Sequence, residues 1–422
     1  MSEATGGQVR FWLLAGILFA LFTTPYRAWA YEGRVVDAVT EKPIEGAVVT
    51  SRDTVATTDS NGTFRIDGES DTVHARAVGY MRGDSAVDRL NGSMLDIPLA
   101  PFKPKALYLS FYGIGDRHLR EQALNLIEDT ELNALVIDVK SDNGKIPYLS
   151  SVPLAADVGA QNPRTIKDIA GLMTTLREKK IYTIARIVVF KDLLLASARP
   201  DLAVKTQGGN IWRDREHLAW TDPFRKEAWD YNIEIAVEAA RNGFDEIQFD
   251  YVRFPDAREV MYAKPSTERN RIEAISGFLA EARRRLVPHN VFLSADIFGY
   301  VCWNLNDTMI GQKLEDLAPI VDYLSPMLYP SSFQFGIPGY RFPVTHPYEI
   351  VHLSLDRARQ RTQLPPGRFR PWLQAFKDYG FDHRPFTGKE ISAQITAAED
   401  FGSDGWMLWN PHNLYSADGL RR

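Results

Sequence analysis

The sequence predicts two domains, a small all-β sandwich followed by a (β/α)8 barrel of the TIM type, and three observations predict them. At 422 residues the chain is longer than one hydrophobic core serves, since single cores stop growing at roughly 250–300 residues. Between residues 31 and 101, five short β-prone runs are separated by turn chemistry. From residue 105 onward, eight strand-like runs alternate with amphipathic helical stretches, and a count of eight favours a closed barrel over an open doubly wound sheet.

Residues 1–30 read as an export signal. Phe11 to Phe22 is uninterrupted and apolar behind Arg10, and Ala28-Trp29-Ala30 supplies the small residues that signal peptidase reads. The stretch falls short of the roughly 20 residues that span a bilayer. The expectation is a secreted or periplasmic protein with no membrane association after cleavage, an uncleaved anchor being the alternative. No cysteine follows the run, and the single cysteine, Cys302, has no intramolecular partner and reads as a small packed hydrophobe.

The sandwich is expected over 31–101. Its runs are Gly33–Val36, Ala47–Ser51, Thr63–Ile66, Val73–Val78 and Met94–Leu99, and Asp59-Ser60-Asn61-Gly62 is a hairpin-type turn signal. Pro101-Phe102-Lys103-Pro104 reads as a short stiff linker. The barrel is expected over 105–422. Its strands are Ala106–Phe111, Ala134–Val139, Tyr182–Val189, Glu246–Tyr251, Val291–Phe298, Tyr323–Tyr329, Pro371–Phe376 and Gly405–Trp409. Helical periodicity marks Leu119–Asp129, Thr165–Lys179, Lys226–Arg241, Thr267–Leu286, Tyr348–Arg361 and Glu390–Phe401.

Composition narrows the function classes. The chain is 45% hydrophobic and 24% charged, with a net charge of −5 and both signs interspersed, which argues against nucleic acid as a partner. No Gly-rich phosphate loop opens a helix, no Gly-x-Ser-x-Gly elbow is present, and the histidines lack zinc-ligand spacing. No metal and no cofactor are therefore expected.

In such a barrel the working residues sit at the C-terminal ends of the strands. Asp138, Asp250 and Asp296 end the second, fourth and fifth runs. Strand alternation puts Glu246, Gln248 and Asp250 on the inward face and Ile247, Phe249 and Tyr251 on the helix-packed face. Two carboxyl groups flanking one bond are what glycoside hydrolysis commonly needs, and neighbouring strands about 4.8 Å apart suit either stereochemical outcome. The catalytic candidates are Asp250 as nucleophile or base, with Arg253 expected to lower its pKa, and Asp296 as acid, its pKa raised by apolar neighbours.

Asp138, Arg186, Arg253, Tyr329, Gln374, Trp409 and Asn410 are the substrate-binding candidates. Tyr329 and Trp409 offer flat faces to sugar rings, and Gln374 and Asn410 offer amides to hydroxyls. Purely structural roles stay open: Asp250 paired with Arg253 or Arg186, and Asp138 orienting Lys140 or a backbone amide.

Two resemblances sharpen this reading. Gly33-Arg34-Val35-Val36-Asp37, Lys42-Pro43-Ile44-Glu45-Gly46-Ala47-Val48-Val49 and Thr58-Asp59-Ser60-Asn61-Gly62-Thr63-Phe64 resemble the carboxypeptidase regulatory-like family. That resemblance implies a non-catalytic, prealbumin-like accessory or spacer domain. Residues 105–411 resemble the putative glycosyl-hydrolase domain family, a barrel family formerly a domain of unknown function. The resemblance rests on Gly243-Phe244-Asp245-Glu246-Ile247-Gln248-Phe249-Asp250-Tyr251-Val252-Arg253-Phe254-Pro255, with Ser294-Ala295-Asp296-Ile297-Phe298-Gly299 and Gly405-Trp406-Met407-Leu408-Trp409-Asn410 in support. It implies kinship with α-amylase-like glycosidases, in which a strand-four aspartate serves as nucleophile. Those relatives take their acid from strand five as Glu, whereas this chain carries Asp296. The expected function is an exported glycoside hydrolase acting on a polysaccharide or cell-envelope glycan, the alternative a carbohydrate-binding protein on a degenerate barrel. Glycan, linkage and oligomeric state stay open.

Overall fold

The computed structural model describes residues 30–68, 70–87 and 94–422. The expected export signal lies outside the described residues except for Ala30.

Among the described residues, seven strands build the sandwich: β1 (Ala30–Asp37), β2 (Val48–Ser51), β3 (Thr54–Thr57), β4 (Thr63–Asp67), β5 (Thr72–Arg76), β6 (Gly83–Ala86) and β7 (Leu95–Leu99). One sheet runs β4-β1-β7 and the other β3-β2-β5-β6. Val35, Val49, Val73 and Ile97, inward residues from both sheets, are fully buried between them. The Asp59–Gly62 turn forms as expected, with the Asp59 carboxylate accepting from the Asn61 and Thr63 amides and Gly62 at φ +70°. It does not close a hairpin, however. β3 and β4 belong to different sheets, so the turn carries the chain from one layer to the other.

The barrel consists of β8 (Lys105–Leu109), β9 (Ala134–Lys140), β10 (Tyr182–Val188), β12 (Glu246–Asp250), β14 (Phe292–Phe298), β15 (Tyr323–Met327), β16 (Trp372–Gln374) and β17 (Trp406–Trp409). A two-stranded ribbon, β11 (Lys205–Thr206) with β13 (Val260–Met261), lies in the loops. The eight barrel strands are parallel and closed, β17 pairing with β8. Closure depends on Gly405. It has φ +78°, and a Cβ there would lie 1.8 Å from the Pro104 carbonyl oxygen. Helices Arg117–Asp129, Ile169–Glu178, Lys226–Arg241, Glu268–Leu286, Pro347–Thr362 and Gly388–Phe401 carry the chain between strands. Their apolar stripes bury against outward residues such as Ile247 and Phe249 in one continuous core. Cys302 is fully buried there, its thiol pKa pushed up to about 12 by burial. Among the described residues no helix is long and apolar enough to cross a membrane.

The sandwich caps the barrel's N-terminal mouth. Val78, Met81 and Phe102 pack against the apolar cluster of Tyr182, Phe292 and Tyr323 inside the barrel. The Gly79 amide donates to the Tyr323 hydroxyl at 3.1 Å, and Arg82 donates to Asp245 at 2.6 Å and to the Asn290 carbonyl at 3.2 Å. Arg76, 2% exposed, faces Asp322 at 3.7 Å. Pro101–Pro104 is therefore docked, with the Phe102 ring 5.5 Å from that of Tyr182.

Candidate active site

Two ionic layers fill the barrel interior. In the lower one, Arg370 donates to Glu246 at 2.5 Å and to Asp404 at 3.0 Å, and its guanidinium lies 3.9 Å from the Tyr323 ring. Tyr182 and Ser294 also donate to Glu246. These groups are sealed from solvent, Arg370 and Glu246 being 0% exposed. Above them, Gln248 donates to the Ser325 hydroxyl. The inward orientation expected for Glu246, Gln248 and Asp250 is the one observed.

The upper layer centres on Arg186. Its Nη1 donates to Asp138 at 2.6 Å, while Nε and Nη2 both donate to Asp250 Oδ2, at 3.0 and 2.5 Å. The guanidinium lies 4.8 Å from the Trp409 ring and 5.4 Å from that of Tyr108. Burial opposes its charge, but Asp138 and Asp250 outweigh burial and raise its pKa. Asp138 in turn accepts from the Tyr108 hydroxyl at 2.7 Å and the Phe111 amide at 3.3 Å. Asp138 therefore positions Arg186. Lys140 has its own partner, Asp192, at 2.8 Å.

Asp250 ends β12. Tyr251 follows at φ +47°, a left-handed conformation that costs a non-glycine residue about 1–3 kcal/mol and recurs at functional sites. This turn brings the Tyr251 amide onto Asp250 Oδ1 at 2.6 Å. The Tyr251 ring packs beside Trp220 at the edge of the outer core and also lines the barrel rim.

Asp296 faces Asp250 across the β12–β14 pairing, one step beyond the Phe249–Ala295 register. The Trp372 indole donates to Oδ1 at 2.8 Å, and Oδ2 is buried without a partner. Burial first, and then the negative charge of Asp250, push the Asp296 carboxyl well above the usual carboxylate range, against the pull of Arg186 and Trp372.

A cavity of about 260 Å³ opens above this layer. Six strands contribute to its wall, through Arg186, Asp250, Phe298, Met327, Trp372 and Trp409, and Tyr251, Arg253, Tyr329, Ser332 and Tyr379 complete the rim. Of the expected site residues, Arg186, Asp250, Arg253, Tyr329 and Trp409 meet at this cavity. Asp296, 1% exposed, and Asp138, 3% exposed, lie outside its lining. Gln374 and Asn410 also lie outside it, and internal bonds engage their amides. Gln374 bonds to Ser331 and the Phe376 carbonyl, and Asn410 to the Ala375 and Leu414 carbonyls and the His412 amide.

Arg253 does not pair with Asp250 as expected. Its guanidinium lies 5.0 Å from the Trp220 ring and 5.1 Å from the Tyr251 ring, and it donates to the Phe254 carbonyl. Tyr379 escaped the sequence reading. It sits on a loop that Asp378 organises by accepting from the Gly380, Phe381 and His383 amides, and no strand pattern marks that loop.

A protein family described as "Putative glycosyl hydrolase domain" matches residues 106–415. The chain belongs to this family. Its match covers the whole barrel and ends beyond the last strand, so this domain is a glycosyl-hydrolase-like barrel.

No curated protein matches the chain. Among solved structures, a hypothetical protein from Ruminiclostridium thermocellum is 41% identical, covering 45% of this chain and 96% of its own, with a TM-score of 0.41. The PgaB (BpsB) glycoside hydrolase domain from Bordetella bronchiseptica is 14% identical, covering 74% of this chain and 95% of its own, with a TM-score of 0.54. This likeness is one of fold. A chitinase from Chromobacterium violaceum is 12% identical over 75% of this chain and 95% of its own, with a TM-score of 0.45.

Proposed function

We propose that this protein is an exported hydrolase of glycosidic bonds in a polysaccharide or cell-envelope glycan, with Asp250 as nucleophile or base and Asp296 as acid. One observation carries the reading: a carboxylate fixed on the cavity wall by the Arg186 fork lies beside a second carboxyl, one register step along the β12–β14 pairing, whose pKa is raised by burial and by the first one's charge. Two neighbouring carboxyl groups, one of them with a raised pKa, are the pair from which acetal cleavage can draw an acid and a base. Asp250 attacks the anomeric carbon or takes a proton from the attacking water. As the glycosidic C–O bond breaks, the leaving oxygen takes the Asp296 proton. Trp409 and Tyr329 line the space the sugar would occupy.

A second reading, a barrel that binds glycan without cleaving it, draws on the position of Asp296, which leaves Asp250 as the sole carboxylate among the residues lining the cavity. Reducing-end release from envelope and exopolysaccharide glycans separates the two. Hydrolysis by the wild type that is lost in both Asp250→Asn and Asp296→Asn supports the first. Bound glycan recovered intact supports the second, and release surviving both substitutions removes the two-carboxylate mechanism.

A further inference from the structure

A second groove, of about 510 Å³, continues from the Asp250 cavity and shares Tyr251 and Arg253 with it. Its charge is opposite to that of the chain as a whole, which is −5. Lys191, Arg213, Arg215, Arg253 and Arg258 line it together with Asp214, Glu216 and Asp256. Lys191 is already taken, 2.7 Å from Glu216 and 3.3 Å from Asp214. Four arginines then remain against Asp256.

None of the four forms an ion pair among the described residues. Arg213 donates only to the His217 carbonyl and Arg253 only to the Phe254 carbonyl. Like charges gathered in one concavity repel, at a cost that a bound anion relieves. Arg253 is the most prepared of them. Half-buried beside the Trp220 and Tyr251 rings, it is held in orientation while its Nε and Nη2 donate to no atom of the described residues. A stacked, pre-oriented guanidinium with free donors is the geometry that binds carboxylate or phosphate through two hydrogen bonds.

We propose that this groove is a subsite for an anionic saccharide, bearing a uronate carboxylate or a phosphodiester, with Arg253 gripping the charged group of the unit next to the one at Asp250. The proposal rests on the glycan reading of the cavity and names its substrate class.

Binding of the full chain to hexagalacturonate, to poly(glycerol phosphate) and to neutral cellohexaose, by calorimetry at low and high salt, tests it. At least one polyanion should bind about tenfold tighter than cellohexaose and lose affinity as salt rises. Arg253→Gln and Arg258→Gln should each weaken that binding about tenfold, with Arg253→Lys restoring it only in part. Cellohexaose binding as tightly as both polyanions, salt-insensitive binding, or failure of both polyanions to bind overturns the proposal. Tight polyanion binding with no reducing-end release removes the hydrolase reading and leaves this one standing. Cleavage of a neutral glycan by a wild type that binds neither polyanion does the reverse.

Discussion

The barrel holds two arginine–carboxylate layers that share their chemistry and differ in what surrounds them. Arg370 and Arg186 each bridge two carboxylates, and each lies against aromatic rings. The lower layer is closed to solvent, and both Glu246 oxygens are bonded. The upper layer opens to a cavity, includes a left-handed residue at Tyr251 and leaves one Asp296 oxygen bare. A buried ion network by itself therefore says little about function. The incomplete satisfaction of one network, next to a space large enough for a ligand, is what distinguishes it.

That contrast can be broken from below. Arg370→Met leaves Glu246 and Asp404 buried without a cation and should destabilise the fold by about 3–5 kcal/mol, read by urea unfolding. A loss under about 1 kcal/mol would mean that the lower layer is no structural keystone. In the upper layer the effect should fall on turnover. Asp250→Asn should lower kcat about 10³-fold while the protein still unfolds cooperatively, measured on whichever glycan the wild type cleaves.

Asp296→Asn should lower kcat about 10²-fold and remove the alkaline limb of the pH–rate profile, since that limb reports loss of the Asp296 proton. Its stability effect has a definite sign. The folded state holds this proton more tightly than the unfolded chain, so the contribution is complete below the ordinary carboxylate value and fades as pH rises through the raised one. An asparagine, which cannot ionise, should flatten that decline, as melting curves across pH would register. The smallest effect belongs to Tyr108→Phe. It removes one hydrogen bond to Asp138 while Arg186 still holds that carboxylate, so about 1 kcal/mol and a several-fold change in kcat are expected.

The barrel strands were legible because each is a compact apolar run bounded by turn residues, and Tyr182–Val188 and Phe292–Phe298 fall within a residue of their expected ends. Alternation found the inward face of Glu246–Asp250 for the same reason. Thr54–Thr57 and Gly83–Ala86 went unseen because they are edge strands with largely exposed side chains and so lack an apolar period. Partner choice was the least legible feature of the site. Arg253 is three residues from Asp250 and Arg186 is on another strand, yet Arg186 makes the pair, because the backbone reversal at Tyr251 carries Arg253 away toward Trp220. Gln374 and Asn410 look free in sequence and are consumed by carbonyls and a hydroxyl that only the folded loops supply.

The segment Arg76–Arg82 reaches from the sandwich into the barrel's lower mouth, so another domain supplies the barrel's floor. Removing the sandwich up to Pro104 would leave Tyr182, Phe292 and Tyr323 facing water and deprive Asp245 of Arg82. A barrel expressed from Lys105 alone would be a bottle without its base, prone to stick to its own kind.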